Sequence, residues 1–138
     1  MAIRFDHIGY AVKSIEDYLD EFVVPLLDPV SIGPIVTDPE QGVRIAFVTL
    51  AGGERIELIE PVDDSSPVSA YLTDRRGGLY HVCYSTDSLE ESIADFRRRR
   101  CMLFSGPTPA VAFDGRRIAF LLTPQRDIIE LVERTLSA

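Results

Sequence analysis

The chain has 138 residues, 46% hydrophobic and 26% charged, with a formal net charge of −8. That length suits one domain with a single core, and the acidic balance excludes a nucleic-acid partner, whose phosphates need a basic face. No apolar run could span a bilayer, Met1 to Asp6 lacks the charged-then-apolar order of a secretion signal, and the two cysteines, Cys83 and Cys101, have no framework spacing, so a cytoplasmic protein with reduced thiols and no membrane contact is expected.

Residues 3–12 alternate in polarity, as a strand with one buried face does. Ser14 then reads as an N-cap, with Glu16 and Asp17 in the first turn. The helix that follows is expected to turn Ile15, Leu19, Phe22 and Val23 toward the core. A Pro/Gly-rich connection runs from Pro25 to Pro39, with a short strand near 29–32. Strands follow at 43–50 and 55–60, joined by the turn Ala51-Gly52-Gly53-Glu54. Residues 67–71 read as one or two helical turns closing at Gly77-Gly78. The next strand, 79–86, leads to a second N-cap, Ser88, with Glu90 and Glu91 after it, and a helix carrying Leu89, Ile93 and Phe96 inward. Arg97 to Arg100 close this helix, where cations complement its C-terminus. A short strand is expected at 102–104, a connection at 106–109, and strands at 117–122 and 128–133, joined through Pro124-Gln125-Arg126-Asp127.

These elements are one pattern written twice. His7-Ile8-Gly9-Tyr10 returns as His81-Val82-Cys83-Tyr84, an offset of 74. Gly33-Pro34, Arg44-Ile45-Ala46-Phe47 and Ile56-Glu57-Leu58-Ile59-Glu60 return as Gly106-Pro107, Arg117-Ile118-Ala119-Phe120 and Ile129-Glu130-Leu131-Val132-Glu133, each at an offset of 73. Several blocks in one order mark a duplicated half-domain. The expected fold is therefore α+β, two tandem βαβββ modules forming a cup-shaped mixed sheet. It makes a single domain, 1–138: module one about 1–62, a linker helix about 63–76, and module two about 77–138.

Both histidines of the chain occupy equivalent points of the copies. Side chains alternate faces along a strand, so His7 lies with Gly9 and Ala11, and His81 with Cys83 and Ser85, away from the large residues that pack under the helices. Glu57 and Glu130 repeat likewise, flanked by apolar residues on the other face. A carboxylate inside an apolar strand is costly to bury unless it is paired or bound to a metal. If a pseudo-twofold axis relates the modules, His7, Glu57, His81 and Glu130 converge, and two N with two O donors suit divalent Co, Ni, Mn, Zn or Fe. Glu60 and Glu133 repeat on the opposite face and read as strand-end surface charges. Tyr10 and Tyr84 read as core residues with a polar tip, and Cys83 as a small buried residue.

The motifs Asp6-His7-Ile8-Gly9, Ile56-Glu57-Leu58-Ile59-Glu60-Pro61, Gly78-Leu79-Tyr80-His81-Val82 and Ile129-Glu130-Leu131-Val132-Glu133 resemble the vicinal oxygen chelate superfamily of glyoxalases, bleomycin resistance proteins and dioxygenases. Within it, Gln41 to Phe47, Ile56 to Pro61 and Ser65-Ser66-Pro67-Val68 are most similar to methylmalonyl-CoA epimerases. The chain departs from those enzymes at Ile45, where some carry a glutamate base, and at the short loop 123–127, where they carry a long one. The resemblance implies a divalent-metal-dependent isomerase or epimerase, with His7, Glu57, His81 and Glu130 as ligands. Its small-molecule substrate, such as an acyl thioester, would react through a metal-stabilised enolate. With Ile45 apolar, Glu57 or Glu130 is left as the catalytic base. A homodimer is implied as well. The alternatives are a lactoylglutathione lyase of the glyoxalase I type and a metal-free protein that sequesters a drug, although the intact ligand set disfavours the second.

Overall fold

A computed structural model describes residues 3–75 and 77–135. The expected outer module limits, residues 1 and 138, and the end of the linker, residue 76, lie outside the described residues. Among the described residues there are nine β-strands, in parallel and antiparallel pairings, and three α-helices, which makes the class α+β. The chain divides into two compact units, residues 7–80 and residues 1–6 with 81–138, so the boundaries fall within the first strand of each repeat.

In the first unit, β1 (Ile3–Ala11) contributes its second half, residues 7–11. It lies parallel to β5 (Arg55–Pro61), with Gly9 opposite Glu57. β4 (Val43–Thr49) runs antiparallel to β5 across a turn in which the Leu50 N–H donates to the Glu54 carbonyl at 2.9 Å. β4 also carries β2 (Ser31–Ile32) and β3 (Val36–Asp38). β3 is not expected from the sequence. It exists because Val36 to Asp38 can fold back on Val43 to Ile45, a turn held by the Gly42 N–H on the Asp38 carbonyl and the Gln41 N–H on the Asp38 carboxylate.

Helix α1 (Ile15–Tyr18) starts as expected: the Ser14 hydroxyl accepts from the Asp17 N–H at 3.1 Å. The chain then widens into a π-helical segment, Leu19–Leu27, which continues past Pro25 and ends at Asp28 with φ 47°. A proline supplies no N–H, and in this wider winding the segment proceeds through Leu27, three residues into the expected connection. Core residues then fall every fourth position: Ile15, Leu19, Val23 and Leu27 pack with Val12, Ala46, Val48 and Leu58. Phe22, expected inside, is 41% exposed because that spacing turns it outward. Helix α2 (Pro67–Arg75) is longer than the one or two turns expected and buries Val68 and Leu72.

The second unit repeats the plan. β6 (Gly78–Thr86) lies parallel to β9 (Ile128–Glu133), with Cys83 opposite Glu130, and β8 (Arg117–Leu122) runs antiparallel to β9. Helix α3 (Leu89–Arg98) is capped by the Ser88 hydroxyl, which accepts from the Glu91 N–H at 3.3 Å. Leu89 and Ile93 close over Ala119, Leu121, Ile129 and Leu131, each large side chain contributing about 1.5–3 kcal/mol by leaving water. β7 (Met102–Pro109) is longer than expected, because residues 106–109 continue the strand with two register shifts against β8. The bend is made by Gly106: its φ is +85°, and an added Cβ would lie 2.4 Å from the Ile118 carbonyl oxygen.

Candidate metal centre

Each unit presents one histidine and one glutamate from its parallel strand pair. In the first unit, His7 Nε2 lies 3.4 Å from Glu57 Oε1, the two residues being 0% and 3% exposed. In the second, His81 Nε2 lies 2.9 Å from Glu130 Oε1, at 3% and 2% exposed. The placement is the same in both: the residue two beyond each histidine, Gly9 or Cys83, sits opposite the glutamate in the parallel register. Small residues at those points leave room for the carboxylate. A phenylalanine opposite each glutamate on the antiparallel neighbour then meets the imidazole nearly edge-on. Phe47 lies 5.1 Å from His7 and Phe120 lies 5.7 Å from His81.

The donor set fits a divalent cation. Both pairs bring an imidazole nitrogen and a carboxylate oxygen, residue types able to hold a metal ion, together in dry surroundings where a carboxylate needs a positive partner. Two ligands each about 2.1 Å from one ion stand about 3.0 Å apart at a right angle and about 3.4 Å apart at the tetrahedral angle. The separations of 2.9 and 3.4 Å match those edges.

Glu60 and Glu133 are not surface charges, which corrects the sequence expectation. Glu60 accepts from the Ile15 N–H at 2.8 Å and from Arg44 Nη1 at 2.9 Å, while Arg44 Nη2 reaches Glu16 at 2.8 Å. Glu133, 6% exposed, accepts from the Arg117 N–H at 2.6 Å and from its guanidinium, while Arg117 Nη2 reaches Glu90 at 2.7 Å. Each copy thus ties its helix start to its sheet through one arginine between two glutamates. Arg44 holds the Glu16 carboxyl below its ordinary value, and both arginines are pushed up by their carboxylate partners. The repeat of Arg44 as Arg117 carried this signal. Tyr10 and Tyr84 are core-facing as expected: Tyr10 packs on Tyr18, and Tyr84 on the second core.

A model of the glyoxalase/bleomycin resistance protein/dioxygenase superfamily matches residues 6–120. The chain belongs to that superfamily. Among its relatives, mitochondrial methylmalonyl-CoA epimerase of Mus musculus is 28% identical over 119 residues, covering 86% of this chain and 65% of that enzyme. The chain thus spans somewhat less than two-thirds of that relative's length. A hypothetical protein from Bacillus halodurans C-125 has a solved structure with TM-score 0.83 and 31% identity, covering 100% of this chain and 99% of that one. A variant of Streptomyces coelicolor methylmalonyl-CoA epimerase, solved in complex with 2-nitronate-propionyl-CoA, superimposes at TM-score 0.77 with 25% identity, covering 94% and 96%. These likenesses bear out the glyoxalase-like fold. Among the described residues, no helix is long and apolar enough to cross a membrane.

Proposed function

We propose that this superfamily member is a divalent-metal-dependent epimerase of an acyl-CoA thioester carrying a carboxylate on the carbon next to its carbonyl, as in methylmalonyl-CoA. The observation that carries the reading is the pair of equivalent, buried His–Glu half-sites, His7 with Glu57 and His81 with Glu130, which we assign as the four ligands of one ion. The epimerase relatives support the reaction class, and the CoA compound bound by the Streptomyces enzyme supports the thioester.

A bound divalent ion supplies Lewis acidity to two neighbouring substrate oxygens, which makes the adjacent C–H more acidic. Proton transfer then falls to the chain's own carboxylates. Ile45 is apolar and buried, so Glu57 or Glu130 takes the proton from one face of that carbon, and the same or a second group returns one to the opposite face. Phe47 and Phe120 pack edge-on against the two imidazoles.

The test is deuterium incorporation from heavy water into methylmalonyl-CoA, followed by NMR with added Co, Ni, Mn or Zn. The glutathione hemithioacetal of methylglyoxal serves as the lyase control. Exchange into the thioester, slowed by on the order of 100-fold in Glu57→Gln or Glu130→Gln, is expected. Turnover of the hemithioacetal alone, or full exchange in both variants, would overturn the assignment.

A further inference from the structure

The two half-sites differ in what covers the phenylalanine beside each histidine. In the first unit Arg55 does so: its guanidinium carbon lies 4.4 Å from the Phe47 ring centroid, and that ring meets His7 edge-on at 5.1 Å. Arg55 and Glu57 are two apart on β5, so they share a face, and Arg55 stands opposite Thr49 as Glu57 stands opposite Phe47. In the second unit the position matching Arg55 is Ile128, opposite Leu122, and the Phe120 ring is instead stacked by Phe104 at 6.1 Å. One half-site is therefore flanked by a half-buried cation and the other by an exposed apolar ring.

We propose that Arg55 is a specificity residue that grips the free carboxylate of the substrate and selects carboxylated acyl thioesters over neutral ones. This rests on the reading of the site given above. A guanidinium held over an aromatic ring is oriented by that contact, and its planar fork matches a carboxylate bidentately. In a chain of net charge −8, a cation two residues from Glu57 on the same face offsets the repulsion a substrate anion meets beside that glutamate. It also offsets the negative charge that grows on the acyl group as its proton leaves. Ile128 offers no such partner, so of the two half-sites only the first adds a side-chain cation for the carboxylate.

The experiment measures, by calorimetry on the cobalt-supplemented full chain, the affinity for the N-acetylcysteamine thioester of methylmalonic acid and for its uncharged methyl ester. The unmodified chain should favour the acid by about 30-fold or more, since a site built around a charged partner rejects the analogue that lacks it. Arg55→Gln should cut that preference by about tenfold, with unchanged affinity for the methyl ester, and Arg55→Lys should keep part of it. No preference in the unmodified chain, or a full preference in Arg55→Gln, overturns the proposal. A cobalt titration run alongside separates the two readings. An Arg55-dependent preference without cobalt binding sinks the metal centre alone. Cobalt-dependent exchange with a preference indifferent to Arg55 sinks this inference alone.

Discussion

His7, Glu57, His81 and Glu130 are buried polar residues on strands whose neighbours are almost all apolar, and that is expensive unless their charges are matched. The four ligands proposed here therefore predict a separable effect on metal and fold. Glu130→Gln and Glu57→Gln keep shape and hydrogen bonding, so each should leave the circular dichroism spectrum unchanged while weakening cobalt binding by on the order of 100-fold, read by competition with a chromophoric chelator. These residues were legible in the sequence because strand parity and the repeat agree on them. Glu60 and Glu133 repeat too, on the opposite face, but their burial is not legible there, since their partners are far along the chain. Arg44 is 16 residues from Glu60 and 28 from Glu16, and no local pattern reveals a side chain reaching from sheet to helix.

The two arginine bridges differ in depth at the scale of elements. Glu133 has only 7% of its side chain exposed and Glu60 15%. Arg117→Ala should therefore destabilise more, by about 2–3 kcal/mol, than Arg44→Ala, by about 1 kcal/mol, in urea unfolding. Gly106→Ala should cost more than either, because a side chain there meets backbone rather than a movable neighbour. The outer ends of these bridges are titratable. Glu16 is held below its ordinary value by Arg44, so its contribution is present above the unfolded carboxylate range near pH 4.5 and is lost as pH falls through the lowered folded value. The difference in melting temperature between the unmodified chain and Glu16→Gln should accordingly shrink on acidification from pH 6 to pH 3. The caps at Ser14 and Ser88 and strands β4, β5, β8 and β9 were readable from local chemistry. β3, the helix beyond Pro25 and the far half of β7 were not, because pairing with β4, packing on the core and pairing with β8 create them.

For the whole molecule, a metal bound only by the folded chain adds stability by mass action, about 4 kcal/mol at a free concentration a thousand times the dissociation constant. Stripping it with a chelator should lower the melting temperature by several degrees, and this loss should vanish in Glu130→Gln. A melting curve indifferent to chelator would count against the proposed centre. The symmetric reading of the fold also has a limit that the elements define. The offset between copies falls by only one residue, from 74 to 73, yet the elements show that this is a net figure. The first helix has four α-helical and nine π-helical residues, against ten in α3. β7 takes two extra residues through its two register shifts against β8. Three positions are lost in the helix, one is regained in the strand, because the first copy's stretch from Ile32 to Val36 already carries one extra residue against β4, and one in the turn before Arg117. Aligning the halves with a single gap would therefore pair the wrong residues along the stretch between Glu91 and Arg117, Phe104 included. Any role carried from one half to the other there must follow the hydrogen-bonded ladder, not the letter count.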